Sequence, residues 1–323
     1  MIKKPLIYFF LGSLFVLSAC EKEETPYTLP PPGAAKVMNV SMGFDYDKTI
    51  FLNIESGKTW QGNSFDWELK FEASEAGFRV LMNGGKSVFI DKTNTTDFNE
   101  IQSAGNRTWL FDPPSGNLDS NAIGDWRGRN EVFLIDLGSK SKGNRYRKFR
   151  LNAVDGSKYE MEYADLDGSN YKIVSVDKES DRNFVYYSFS EEKQLVNFEP
   201  PTDDWDVKFT RYRYVYYDMT PIVPYEVNGA LINTNKWQVA FDKTKKFEDL
   251  DVDFAKGLDF SPRTDAIGFD WKYFDFDAAV FVTNQNFNYV LFNQQGYYYK
   301  LRFIDFYDDN GIKGNPVFEL QRL

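Results

Sequence analysis

A motif that occurs twice constrains the fold of this chain more than any other feature. Asp66-Trp67-Glu68-Leu69-Lys70-Phe71 returns as Asp204-Trp205-Asp206-Val207-Lys208-Phe209. Around it, further landmarks recur in the same order. Ile50-Phe51-Leu52-Asn53-Ile54 precedes the first copy and Val185-Tyr186-Tyr187-Ser188-Phe189 the second. Asn83-Gly84 and Asn228-Gly229 follow as turn signals. Asn130-Glu131-Val132-Phe133-Leu134 then matches Asn288-Tyr289-Val290-Leu291-Phe292, and Tyr146-Arg147-Lys148-Phe149-Arg150-Leu151 matches Tyr298-Tyr299-Lys300-Leu301-Arg302-Phe303. Self-similarity of this length reads as two copies of one structural unit. The polar stretch 177–181 is the expected join, which gives an N-terminal diverged β repeat over 36–181 and a C-terminal β domain over 182–323.

Within the motif, apolar and charged residues alternate, the period of a strand with one dry and one wet face. Tyr299-Lys300-Leu301-Arg302-Phe303 does the same. Asp309-Asn310-Gly311 and Asp155-Gly156 are hairpin signals, because these residues accept positive φ at little cost. Helix is sparse, with short candidates at 97–102 and 246–255. Aromatic residues make up 18% of the chain and favour strands, where they pack across the pleat. The expected fold is therefore mainly β, with antiparallel sheets in two tandem repeats and few short helices.

The chain contains no histidine and one cysteine. The usual general base near neutral pH, the imidazole metal ligand and every His-containing triad are thereby excluded. Zinc and iron–sulfur sites lose their normal ligands. A net charge of −10 opposes nucleic-acid binding. The pattern points to a protein that binds rather than catalyses.

The single cysteine is Cys20, and its setting explains it. Lys3 and Lys4 are followed by an apolar run to Leu17 and by Leu17-Ser18-Ala19-Cys20. This is the layout of a cleaved export signal over residues 1–19, with Cys20 as the lipidated first residue of the mature chain. The run is too short for the ~20 residues of a membrane-spanning helix. Glu21-Lys22-Glu23-Glu24 and a proline-rich stretch ending near residue 35 form an extended tether. The acidic stretch is similar to the signal that places Bacteroidota lipoproteins on the outer face of the outer membrane; it also reads as a plain solvated linker.

The second half resembles the HmuY family of haem-binding surface lipoproteins of Bacteroidota. The matching stretches are Thr202-Asp203-Asp204-Trp205-Asp206-Val207-Lys208-Phe209-Thr210-Arg211-Tyr212, Val227-Asn228-Gly229-Ala230-Leu231-Ile232-Asn233 and Asp265-Ala266-Ile267-Gly268-Phe269-Asp270-Trp271-Lys272. Gly296-Tyr297-Tyr298-Tyr299-Lys300-Leu301-Arg302-Phe303-Ile304-Asp305-Phe306-Tyr307 continues the match to Phe318. The resemblance implies a mainly β cell-surface lipoprotein that captures haem and passes it to a TonB-dependent outer-membrane receptor. Family members hold haem iron through paired histidines, or through methionine in relatives. This chain has no histidine, so no ligand carries over by position. The alternative is a structural or adhesive envelope lipoprotein that keeps the fold without haem.

The candidate ligand site is the segment 211–225. Met219 offers a thioether to haem iron, Tyr216, Tyr217 and Tyr225 offer rings or phenol oxygens, and Arg211 and Arg213 offer guanidinium groups to propionates. The same segment also reads as a proline-stiffened loop with packed aromatics. Met82 and Met161 read as core filler, and Trp205, Trp271, Tyr298, Phe303 and Phe306 as core packing. Asp165-Leu166-Asp167-Gly168-Ser169-Asn170 is a faint calcium-loop pattern lacking its distal acid. The acid pairs Asp251/Asp253 and Asp275/Asp277 read as solvated.

Overall fold

The computed structural model describes residues 31–138 and 140–323. The expected export signal, Cys20 and most of the tether fall outside the described residues. Among those residues no helix is long and apolar enough to cross a membrane.

Strands β1 (Lys36–Asn39), β2 (Lys48–Leu52) and β3 (Thr59–Asn63) precede β4 (Leu69–Glu72), which carries the first motif copy. Next come β5 (Val80–Met82), β6 (Phe89–Lys92), β7 (Phe133–Asp136), β8 (Tyr146–Val154) and β9 (Lys158–Asp165). Then β10 (Lys172–Asp177), β11 (Phe184–Ser188) and β12 (Lys193–Leu195) lead to β13 (Val207–Tyr216), with the second copy. The chain ends through β14 (Val223–Ile232), β15 (Trp237–Asp242), β16 (Lys272–Asp275), β17 (Val280–Thr283), β18 (Asn288–Asn293), β19 (Tyr298–Tyr307) and β20 (Lys313–Arg322). All pairings between these strands are antiparallel. The expected mainly β fold is what forms. Both expected helices shrink, the first to a 3-10 turn at Phe98–Glu100 and the second to a 3-10 turn at Phe247–Asp249 followed by the short α1 (Val252–Ala255). Each 3-10 turn is closed by a lysine. Lys148 donates to the carbonyls of Phe98 and Ile101 at 2.8 and 3.0 Å, and Lys300 to those of Phe247 and Leu250 at 2.7 and 3.1 Å. A carbonyl left over at a turn end needs such a donor.

The strands build two sandwiches. In one, the sheet β10-β9-β8-β7-β6 packs on β12-β11-β4-β5. In the other, β1-β20-β19-β18-β15 packs on β14-β13-β2-β3. Alternation places Leu69 and Phe71 in the first core and Val207 and Phe209 in the second. Phe209 stacks on Phe318 at 5.4 Å and Trp271 on Phe303 at 3.9 Å, while Phe133 stacks on Phe149 at 5.2 Å. Met82 and Met161 are core residues as expected, and so are Trp205, Trp271, Phe303 and Phe306.

The cores do not divide at 181/182. Ile50 of β2 pairs with Phe209 of β13, and Val185 of β11 pairs with Phe71 of β4. Val40, Met42, Ile50, Leu52 and Ile54 therefore belong to the core built around 205–323, whereas Val185, Tyr187 and Phe189 belong to the core built around 69–165. Each half lends its leading strands to the other. Two expected matches also shift. Asn228-Gly229 is no turn but lies inside β14, where a Cβ on Gly229 would meet the Gly268 carbonyl oxygen at 2.3 Å. The counterpart of Asn83 is Asn233. Asn83 Nδ2 donates to Ser64 and Trp67 carbonyls at 2.8 and 2.9 Å, and Asn233 Nδ2 to Thr202 and Trp205 carbonyls at 2.9 and 3.0 Å. Likewise Phe133 corresponds to Tyr289, since Phe133 pairs with Phe149 and Tyr289 with Leu301.

Candidate functional site

The candidate segment is a long hairpin. β13 and β14 stay in register from Val207↔Ile232 to Tyr216↔Val223, so ten paired positions carry it beyond the three pairs that β13 makes with β2. Directly paired residues share a face, and successive residues alternate. Tyr212, Tyr214 and Tyr216, with Val223, Tyr225 and Val227 opposite them, take one face. Arg211, Arg213 and Val215, with Pro224, Glu226 and Asn228, take the other. The six expected site residues are thus separated. Tyr216 and Tyr225 come together at 6.3 Å between ring centroids. Tyr217 and Met219 sit at the hairpin tip, 59% and 47% exposed. Arg211 and Arg213 turn to the first sandwich. Arg211 Nε donates to the Gly85 carbonyl at 3.2 Å and its guanidinium lies 3.9 Å from Glu226. Arg213 is buried, lies over the Phe89 ring at 4.0 Å and donates through Nη2 to the Val88 carbonyl at 3.0 Å. The approach is close because Gly84 and Gly85 have no side chain: a Cβ on Gly85 would meet the Arg211 carbonyl oxygen at 2.4 Å. Propionates of a ligand on the tyrosine face cannot be served by these two arginines.

Tyr212 and Tyr214 of the tyrosine face form one wall of a cavity of about 480 Å³, and none of the six expected site residues lines it. Tyr214 packs edge-on to Phe269 and to Tyr216, both at 5.0 Å. The far wall holds Phe241, Phe287 and Tyr289, with Phe241 4.9 Å from Phe287 and 5.6 Å from Tyr289. Two carboxylates, Asp265 and Asp270, sit among them. Arg263 grips Asp265 with two bonds of 2.9 Å. Burial pushes the Asp270 carboxyl above its ordinary range, against the pull of Lys272. Tyr212 carries a buried hydroxyl without a partner, and burial together with Asp265 and Asp270 raises its phenol well above the usual value. Tyr214 is raised for the same reasons, and Tyr216 by burial and Asp270. Burial thus disfavours the phenolate form of these three tyrosines, whereas the Met219 thioether has no proton to lose. Tyr212, Tyr214, Phe241 and Phe269 were not among the expected site residues; the period-two run of Tyr212, Tyr214 and Tyr216 is the signal that marks them.

The remaining acidic candidates have structural work. Asp165 accepts from Asn144 at 2.9 Å and Asn170 at 2.6 Å and pairs with Arg147 at 3.2 Å. Asp251 caps α1 by accepting from the Phe254 amide at 2.8 Å, and Asp275 holds a turn by accepting from the Asp277 amide at 2.9 Å. No group of three or more acids suited to a metal ion forms among the described residues.

Lys272, behind the cavity, donates to the Asn228 carbonyl at 2.8 Å, and burial brings its ammonium down to about 7. Lys70 is likewise brought down to about 7 by burial and by Lys208. An unfolded lysine keeps its proton up to about 10.5. Between these values the unfolded chain binds protons that the folded chain does not, so stability rises with pH. Above about 10 the raised tyrosines reverse the sign, because the unfolded chain then loses protons first. The expected result is a urea midpoint that climbs from pH 7 to about 9.5 and falls beyond about 10.5. A flat profile from pH 7 to 9.5 would show these lysines to be charged and solvated.

No family model and no curated protein matches the sequence. Among solved structures the chain is similar to apo PinO from Porphyromonas gingivitis, at 10% identity over 90% of this chain and 98% of that one, with a TM-score of 0.25. It is also similar to an apo HmuY analog from Tannerella forsythia, at 9% identity over 90% of this chain and 95% of that one, with a TM-score of 0.24.

Proposed function

We propose that this chain is a ligand-capture protein tethered to the outer membrane through Cys20, displayed at the cell surface, and built to take a flat, largely apolar ligand, a haem or a related tetrapyrrole, for delivery to a TonB-dependent receptor. It acts by binding and not by catalysis. The observation that supports this reading is the cavity of about 480 Å³ whose walls are Tyr212 and Tyr214 with Phe241, Phe269, Phe287 and Tyr289. Small-molecule sites commonly span ~300–1,000 Å³ and are lined by aromatic side chains with few polar groups. The aromatic walls of the cavity offer ring contacts to a macrocycle, and the exposed Met219 at the hairpin tip offers the one neutral soft donor of the segment.

Titration of the lipid-free chain with haemin tests the reading. The expected result is a shifted Soret band that saturates. Replacing Tyr214 by Ala removes a central ring and is expected to weaken binding by roughly tenfold, about 1.4 kcal/mol. Met219→Ala is expected to change the band position more than the affinity, since it removes a ligand and leaves the ring contacts. A featureless titration would favour a structural or adhesive lipoprotein that keeps the fold without the ligand.

A further inference from the structure

A second cavity, of about 310 Å³, lies between the two four-stranded sheets and shares Tyr212 with the first. Its chemistry follows from the duplicated motif. Lys70 in β4 pairs across to Tyr186, and Lys208 in β13 pairs across to Phe51. In each strand the neighbours of the lysine enter a core, so alternation turns both lysines away from the cores and towards the space between the sandwiches. Both line the cavity, with Trp67, Tyr186, Phe198 and Trp205 as apolar walls.

The donors and acceptors of this space do not balance. Lys70 lies over the Phe184 ring at 4.0 Å, and Lys208 over Phe51 and Trp205 at 5.5 and 5.7 Å. Neither ammonium has an ion pair or hydrogen bond among the described residues. Arg213 is 4% exposed, and its Nε and Nη1 are buried without a partner. Trp205 is 3% exposed, and its indole Nε1 is also unpartnered. The two carboxylates nearby, one buried and one half-buried, are already engaged. Glu199 accepts from the Tyr186 hydroxyl at 2.5 Å and the Asn183 amide at 3.2 Å. Asp112 accepts from the Met82 and Ala122 amides at 2.7 and 2.8 Å. Unmatched buried donors are costly to keep, and like charges brought together add repulsion. An acceptor that arrives with a ligand removes both costs.

We propose that the cleft between the sandwiches binds a small organic anion, an aromatic or otherwise apolar carboxylate, with its oxyanion held between Lys70 and Lys208 and its body against Trp67, Phe198 and Trp205. The orphan donors of Arg213 and Trp205 lie in the same cleft. This site shares only Tyr212 with the first cavity and does not rest on haem binding.

Calorimetric titration of the lipid-free chain with 1-naphthoate tests the proposal, with inorganic phosphate as a separate arm. Saturable binding of naphthoate is expected, with phosphate weaker because it lacks the apolar body. Lys70→Met and Lys208→Met are each expected to weaken naphthoate binding at least about tenfold, while Tyr214→Ala leaves it unchanged. Lys70→Arg keeps the charge and is expected to retain most of the affinity. Without ligand, Lys70→Met is expected to raise the melting temperature by a few degrees, about 2–4 °C per kcal/mol, because it removes an unpaired ammonium from an apolar cleft. A lysine with a purely structural role would lower it. The proposal is overturned if naphthoate at about 10 mM produces no binding heat, if both Met variants bind like the native chain, or if phosphate binds more tightly than naphthoate.

Discussion

Replacing Lys86 by Met is expected to destabilise the protein by about 3–5 kcal/mol. The Lys86 and Glu68 side chains form an ion pair at 1% and 0% exposure. Glu68 also accepts from the Phe189 amide at 2.6 Å and the Ser190 hydroxyl at 3.0 Å. It therefore fastens the segment after β11, which comes from the other half of the chain, onto the start of β4. Removing the lysine leaves a carboxylate with no counter-charge in a site where burial already pushes its pKa up. The carboxyl then holds its proton to higher pH when folded than when unfolded. That contribution is present at acid pH and is lost as pH rises through the folded value. The loss measured by urea unfolding is accordingly expected to be larger at pH 8 than at pH 4.5. Exchanging both partners for apolar residues of similar volume is expected to be far milder. The second sandwich supplies the control. Asp206 accepts from the Ile54 amide at 2.8 Å and the Trp237 indole at 2.7 Å, and pairs with Lys236 at 2.6 Å. The Lys236 side chain is 22% exposed. Lys236→Met is expected to cost about 1 kcal/mol or less, since water replaces the ammonium. Equal losses at Lys86 and Lys236 would show that burial does not set the difference.

The two clasps also show what was legible in the sequence. The twin motif marks β4 and β13 correctly, and alternation within it assigns Phe71 and Phe209 to cores. The match of Ile50 through Ile54 to Val185 through Phe189 is in register too: Ile54 N–H meets Asp206 as Phe189 N–H meets Glu68. Partnership is what the pattern cannot carry. An alternating strand declares which face is apolar but not which edge it joins. Ile50 of β2 and Val185 of β11 offer similar apolar faces to Phe71 and Phe209, and only the crossed pairing occurs. The turn signal at Asn228-Gly229 misled for a related reason. Glycine there serves a close approach to Gly268 inside a strand and not positive φ in a turn. At the site, a continuous stretch from Arg211 to Tyr225 looked like one constellation. The pleat splits it: Tyr212 and Tyr214 line one cavity while the expected Tyr216, Tyr217 and Tyr225 lie outside it, and the arginines lie against the first sandwich. The lysines of the central cleft were visible as the wet positions of the motif, but in the folded chain the wet face of one sandwich looks onto that of the other.

The crossed pairing makes a strong statement about fragments. Residues 182–323 alone are expected to show no cooperative unfolding, although they contain the whole stretch that reads as a repeat. They lack β1 to β3 and with them Val40, Met42, Ile50, Leu52 and Ile54, all buried in the core they would have to form. At ~1.5–3 kcal/mol for each buried side chain, the deficit is roughly 8–15 kcal/mol. That equals the whole stability of an ordinary domain, about 5–15 kcal/mol. Residues 64–201, by contrast, hold every strand of the first sandwich from β4 to β12 and are expected to fold alone. The missing strands can also be restored from the other end. The Gly33 amide donates to the Arg322 carbonyl at 3.0 Å, so the C-terminal end of β20 lies beside the residues that enter β1. A permuted chain running from 205 to 323 and on through a short Gly/Ser linker into 33–63 is expected to regain a single cooperative transition, read by circular dichroism during urea unfolding. Cooperative unfolding of 182–323 without its borrowed strands would mean that the two halves do not depend on the exchange, and that the boundary between cores lies near 181 after all.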